Sequence, residues 1–241
     1  KNFLKPILQL RISPTNGKNI SSSDTRIEFD NIFSPNRIGR SDMVEKGNSV
    51  TFGLEFEKQN FSNEKVLGLN LGNVLKDKEN NSLPSKSKLN QTRSDIVGNI
   101  FYKLNDNFEL NYNFSYDRDL EYSNYDSLST TIGLNNFVTT FDYITENHDF
   151  GDSEVIKNDT SYKLSNENQI NFNTTKDLKD DFTQFYKLSY EYETDCLLAS
   201  FEYKKTFFRD GSLVPDENIL FLIKFIPFAE IRGTANSVFE N

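Results

Sequence analysis

The 241-residue chain has no tryptophan, one methionine, one cysteine and one histidine. With Cys196 alone, an internal disulfide framework and a cysteine-based zinc site are both excluded. With His148 alone, two-histidine zinc motifs are excluded, and no G-x-S-x-G string accompanies it to form a serine hydrolase. His148 lies in the polar string Glu146-Asn147-His148-Asp149 and reads as a solvated loop residue. Long apolar runs are missing too, and none approaches the ~20 residues that a spanning helix needs. Basic excess is also absent. The 27 lysines and arginines are outnumbered by 36 acidic residues, for a net charge of -9. A nucleic-acid partner is not expected, because phosphate binding needs a concentrated basic surface.

Large rings are abundant. The chain carries 22 Phe and 11 Tyr, although only 36% of its residues are hydrophobic and its mean hydropathy is -0.63. A membrane barrel reconciles the two, since its strands show lipid only at every second residue.

The dominant period is two. Val50, Phe52, Leu54 and Phe56 alternate with Thr51, Gly53, Glu55 and Glu57. Leu67, Leu69 and Leu71 follow, then Ile100, Tyr102 and Leu104, then Phe108, Leu110, Tyr112, Phe114 and Tyr116. Leu128, Ile132 and Leu134 share a face, as do Phe137, Phe141 and Tyr143. Ile170 and Phe172 lead to Tyr186, Leu188, Tyr190 and Tyr192, then Leu197, Ala199, Phe201 and Tyr203, and finally Ile219, Phe221, Ile223 and Phe225. Such alternation marks strands with one apolar and one wet face. With earlier strands expected at 8–12 and 27–33, roughly thirteen strands result, many near the length of a tilted barrel strand.

Connections alternate in length. Short links fall at 58–63, 105–107, 135–136, 165–168 and 193–195, and longer ones at 75–93, 118–125, 146–152, 177–181 and 209–217. Tight periplasmic turns and free extracellular loops produce this order in outer-membrane barrels. The expected fold is therefore an all-β, antiparallel up-and-down transmembrane β-barrel in the bacterial outer membrane. It is incomplete here, because the chain opens Lys1-Asn2-Phe3 without an initiator Met and reads as part of a longer protein. Residues 1–228 form the partial barrel and 229–241 a periplasmic tail. The last strand descends from loop 209–217 to the periplasm, the first starts outside, and Cys196 sits at the periplasmic rim.

Asn70, Asn99, Asn111, Asn113, Asn171, Asn173, Glu109 and Glu202 face inward in this scheme. They suit a water-filled pore or a polar or sugar-bearing cargo, and equally the wet face of any exposed sheet. Two acidic groups, Asp149/Asp152/Glu154 and Asp177/Asp180/Asp181, offer hard oxygens to calcium, although neither matches an EF-hand and hydrated loop carboxylates are the plainer reading. Lys76, Lys78, Lys86, Lys88 and Arg93 place positive charge in the longest loop. They are expected to be solvated on a flexible loop, or to meet anionic headgroups. No cofactor and no enzymatic site is expected.

Several strings go beyond generic patterning. Phe33-Ser34-Pro35-Asn36-Arg37 precedes a loop with Glu45 and Gly47, and Arg93-Ser94-Asp95-Ile96-Val97-Gly98 follows. Later come Tyr190 through Cys196 (YEYETDC), Phe208-Arg209-Asp210 and Pro215-Asp216-Glu217. In this order, across residues 4–228, they resemble the C-terminal half of the LptD family, the lipopolysaccharide-assembly or organic-solvent-tolerance proteins. The Asn- and Lys-rich style resembles alphaproteobacterial members.

The resemblance implies a barrel that receives lipopolysaccharide from a periplasmic bridge and inserts it into the outer leaflet, alongside outer-membrane lipids. Sugar passes through the lumen and acyl chains leave laterally, where first and last strands meet weakly. It further implies a lipoprotein plug and an N-terminal periplasmic jellyroll, to which Cys196 corresponds as a disulfide partner. Where many relatives carry two adjacent cysteines, this chain has Asp195-Cys196-Leu197. The corresponding gate strand carries Ile219, Phe221, Ile223 and Phe225 outward and Leu222 inward, with Pro227 weakening its end. Competing readings are another outer-membrane porin or transporter, a soluble structural or adhesive antiparallel β protein, or an outer-membrane hydrolase whose activity would depend on His148.

Overall fold

In the computed structural model, the described residues are 1–14, 17–39, 45–208, 214–225 and, for the backbone alone, 229–236. Thirteen strands pair in chain order, each with its sequence neighbours. They are β1 (Asn2–Ser13), β2 (Gly47–Gln59), β3 (Lys65–Lys76), β4 (Ile96–Asn105), β5 (Phe108–Tyr116), β6 (Ser123–Leu134) and β7 (Phe137–Glu146), then β8 (Ser153–Lys163), β9 (Asn168–Asp177), β10 (Phe182–Glu193), β11 (Leu197–Thr206), β12 (Asp216–Phe225) and β13 (Ala229–Asn236). The sheet is all-β, antiparallel and up-and-down, as the alternation of apolar residues predicts. No helix among the described residues is long and apolar enough to cross a membrane, which says nothing of crossing by strands.

The chain divides into two compact units. The first holds 1–105, 109–128 and 144–153; the second holds 106–108, 129–143 and 154–241.

In the first unit the two faces of β1 differ sharply. Leu4, Leu8, Leu10 and Ile12 are 65%, 68%, 67% and 71% exposed on one side. Such an apolar row is stable only against lipid or a partner. Across β2 and β3 the opposite side carries Ser49, Thr51, Gly53, Glu55 and Glu57 beside Lys76, Val74, Gly72, Asn70 and Gly68. In the second unit Phe172, Leu188, Tyr190, Phe201, Phe221 and Phe225 are exposed on the apolar side.

Three early and late expectations are corrected. Residues 27–33 form no strand; Phe29–Ile32 is a single helical turn, α1. The Glu28 amide donates to Asn31 Oδ1 at 3.0 Å, and Ile32 N bonds to Glu28 O at 3.0 Å. Phe29, Ile32 and Phe33 thereby fall on one side at the i, i+3, i+4 spacing of a helix. Secondly, β1 starts beside the short turn at 60–64, with Lys1 N donating to Gln59 O at 2.9 Å, so it runs toward the long-loop end. The first strand does not begin at the long-loop end.

Thirdly, 229–236 is a strand rather than tail. β13 pairs with β12 from Asn218 facing Asn236 to Phe225 facing Ala229. Of its alternate positions Ala229, Ile231, Gly233 and Ala235 only Ile231 is large, so the sequence advertises no apolar row. Pro227 and Phe228 lie outside the described residues.

β8 offers the converse case, a strand whose apolar side is half polar. There Thr139 and Thr160 hydroxyls lie 2.7 Å apart, Asn158 Nδ2 donates to Thr139 Oγ1 at 2.9 Å, and Thr160 Oγ1 donates to Asn158 Oδ1 at 3.0 Å. These groups satisfy one another on the side that also carries Phe172. A polar cluster with its bonds made internally costs little in an apolar setting.

Candidate functional site

Residues 17–39, from the connection between β1 and β2, and residues 77–95 fold together over the polar face of β2–β4. Ile20, Ile27, Ile32 and Ile38 from the first meet Leu83 and Leu89 from the second, and Val74 and Val97 of β3 and β4 close the cluster. Glycines make the seat. A Cβ on Gly53 would lie 2.3 Å from Phe33 Cζ, and one on Gly72 would lie 3.2 Å from Ile32 Cδ1. The longest-loop lysines are therefore not all solvated, contrary to expectation. Lys76 and Lys88 are buried.

Beneath the loops, one carboxylate gathers three cations. Arg37 donates from Nε and Nη2 to Glu45 at 2.5 and 2.8 Å, and from Nη1 and Nη2 to Thr51 and Ser49 hydroxyls at 3.1 and 2.8 Å. Lys76 Nζ lies 3.3 Å from Glu45 and donates to Leu89 O at 2.8 Å. Arg11 reaches Glu45 at 3.5 Å and the carbonyls of Ser34 and Pro35 at 2.7 Å each. Burial pushes the Glu45 carboxyl up. The Arg37 bonds and the charges of Arg37, Lys76 and Arg11 outweigh it and hold the group below the usual carboxylate range. Two strings that carry the family resemblance, 33–37 with Glu45 and 93–98, thus build this cap.

A second buried acid is treated differently. Asp95 Oδ2 accepts from Ser115 Oγ at 3.0 Å and Asn124 Nδ2 at 2.7 Å. Burial pushes its carboxyl up, and the bonds from Asn124 and Ser115 only partly offset that. At the rim, a cleft of about 410 Å³ is lined by Asp24, Thr25, Arg26, Glu28, Lys86 and Glu146. Its charges are mutually paired: Lys86 with Asp24 at 2.6 Å, and Arg26 with Glu28 at 2.7 Å and Glu146 at 3.0 Å. The Arg26 guanidinium also lies 3.6 Å from the Tyr125 ring centroid. This cleft ties the loop to the strands.

The uncapped part of this unit's polar face is amide-rich. Asn70 faces Asn99, whose Nδ2 donates to Asn113 Oδ1 at 2.7 Å, and Asn111 donates to Glu109 at 3.0 Å.

In the second unit the polar face forms register rows. Ser161, Asn171, Ser189 and Glu202 make one row; Asp159, Asn173, Lys187, Lys204 and Asn218 make the next. A cleft of about 360 Å³ lies along β7–β10, bordered by Thr140, Asp159, Asn171, Asn173 and Lys187.

Cys196 is an exposed thiol in the turn between β10 and β11, 3.9 Å from Thr194 Oγ1. Ile219, Phe221, Leu222, Ile223 and Phe225 lie on β12, hydrogen-bonded on both sides by β11 and β13. His148 is exposed and stacks at 4.1 Å on Tyr122. The acids weighed for calcium have protein partners: Asp149 binds Lys88, Tyr143 donates to Glu154 at 2.8 Å, and Lys176 lies 2.5 Å from Asp181. Among the described residues no group of three or more metal-ligating side chains assembles.

Consecutive antiparallel strands with one lipid-suited face and one polar, partly capped face define an outer-membrane β-barrel protein. Comparison with protein families matches LptD, described as LPS transport system D, over residues 1–193. The chain belongs to the LptD family. It is an outer-membrane protein of lipopolysaccharide transport. No curated protein sequence matches. Solved structures similar to it include a triple mutant of Rhodopseudomonas blastica porin, at 10% identity and TM-score 0.44, covering 83% of this chain and 88% of that one. Another, titled "Asymmetric conductivity of engineered proteins", has 9% identity and TM-score 0.44, covering 98% and 94%.

Proposed function

We propose that the polar faces described above line a lumen through which the sugar of lipopolysaccharide passes, while its acyl chains leave sideways beside β12 into the outer leaflet. The observation that carries this reading is the mainly polar side of β9–β11, with Asn171, Asn173, Lys187, Ser189, Glu191 and Glu202, on strands whose other side is apolar, in a member of a lipopolysaccharide-transport family. Amide and hydroxyl groups exchange hydrogen bonds with sugar hydroxyls at little net cost. The apolar Ile219, Phe221, Ile223 and Phe225 of β12 border the exit, and β13 is the strand that parts.

Lipid arrives from a periplasmic bridge, and a lipoprotein plug fills the lumen from the same side. The short turns lie in the periplasm, which places Cys196 where a disulfide to a periplasmic domain can form. The experiment is a cross-link across the parting strands. Leu222 faces Arg232 in register. A disulfide between Leu222→Cys and Arg232→Cys in the full-length protein should abolish lipopolysaccharide display while leaving the barrel folded in detergent. Normal display with the pair fully oxidised would refute the exit at this position.

A further inference from the structure

Two lysines of the second unit stand directly opposite each other: Lys187 on β10 faces Lys204 on β11. Both occupy the polar face, Lys187 at the middle of β10 and Lys204 two residues from the end of β11. Cβ atoms of such a pair lie ~5 Å apart, and like charges there work against strand pairing. The neighbouring acid does not neutralise both. Lys187 Nζ lies 3.4 Å from Glu202, whereas Lys204 Nζ sits 5.0 Å from the Phe185 ring centroid and has no carboxylate within ion-pair distance among the described residues. The flanking row positions are amides, Asn173 beside Lys187 and Asn218 beside Lys204. Their Nδ2 groups are engaged by Asp159 and Asp216, which leaves each amide oxygen as an acceptor.

We propose that Lys187 and Lys204 form an anion-binding step on the lumen wall, holding a phosphate or carboxylate substituent of the passing sugar, with the Asn173 and Asn218 oxygens accepting from its hydroxyls. An oxyanion between the two ammoniums removes their mutual repulsion and gains charge-assisted hydrogen bonds. Rings of Lys or Arg serve anion-selective pores in the same way. The step is a brief stop, because solvated ammoniums on flexible stems bind weakly enough to release. This inference rests on the lumen reading above.

The test uses the full-length protein in phospholipid vesicles, with a photo-cross-linking residue at Asn171, in the adjoining row. Three lipids serve as probes: lipopolysaccharide with phosphorylated core sugars, the same lipid dephosphorylated but keeping its acidic sugars, and a glycolipid with neutral sugars. In the double variant Lys187→Gln/Lys204→Gln, adduct with the phosphorylated lipid should fall about tenfold, the size of one lost charge-assisted contact. The neutral lipid should be unaffected, and Lys187→Arg/Lys204→Arg should restore the yield. A fall confined to the phosphorylated lipid identifies phosphate as the group held, and a fall for both acidic lipids adds carboxylate. Unchanged yields, or an equal fall for all three with normal heat-modifiable mobility, would overturn the anion step and leave the lumen reading intact. If no lipid cross-links at Asn171 even with both lysines present, the lumen reading fails, and the anion step with it.

Discussion

Phe33 occupies the space in which any side chain on Gly53 would begin: its Cζ lies 2.3 Å from the position of a Cβ there. The contact joins the 14–46 connection to the middle of β2. Gly53→Ala should unseat the ring, at the ~1–3 kcal/mol cost of overpacking a close contact. Limited trypsin digestion of the full-length protein checks this, because Arg26 and the buried Arg37 should become cleavable while the barrel keeps its heat-modifiable mobility. Unchanged protection would show that the cap does not depend on this seat.

Glu45 supplies the opposite kind of anchor, a buried charge. Removing it with Glu45→Gln leaves Arg37 and Lys76 without their carboxylate, and breaking a buried pair costs ~3–5 kcal/mol. The loop should then digest far faster than in Gly53→Ala. The folded group titrates below its usual range. Its contribution is therefore complete above the ordinary carboxylate pKa and disappears as pH falls through the lower folded value. Loop protection measured down an acid series should persist below pH ~4.3, the ordinary glutamate value. Loss of protection above that value would contradict the anchor.

Asp95 carries the reverse sign. Burial raises its pKa, so the folded state holds the proton more tightly and stability declines as pH rises through the folded value. Asp95→Asn should keep the contact to Asn124 and abolish that decline, leaving neutral-pH stability equal or higher. Thermal unfolding across pH 4–8, a range set about ordinary carboxylate values, provides the measurement. A large destabilisation at neutral pH would mean that the ionised form is needed.

Cys196 predicts a covalent partner. Non-reducing gels of the full-length protein should show a mobility shift that Cys196→Ser removes. Complete alkylation of Cys196 without reductant would exclude the bridge.

Strands were legible wherever the apolar side was uniform, as in Phe108 through Tyr116, because period two is visible in a single window. β8 and β13 were not, since Asn158 and Thr160 on one, and Gly233 and Ala235 on the other, interrupt the apolar row. Residues 27–33 misled in the other direction. Four apolar residues in seven mimic a strand, although the Glu28–Asn31 cap and the 29/32/33 spacing mark a helical turn. The lysines of 76–88 looked like a hydrated loop because burial of a charge depends on partners distant in the chain. Asp149, which binds Lys88, is 61 residues away. The Lys187–Lys204 pair needed register, which neither strand's sequence reveals alone.

The cap also implies an order of events. Val74 and Val97 are strand residues, whereas the six other members of its apolar cluster belong to connections. That cluster cannot exist before β3 and β4 are paired, and Arg26 must find Glu146 across 120 residues. Long-range contacts of this kind form slowly because loop closure precedes any gain. In a pulse-chase experiment, heat-modifiable mobility should therefore appear before residues 14–46 resist protease. The connections would spend that interval open, with their six isoleucines and leucines uncovered, the period in which a newly made molecule is most vulnerable to degradation.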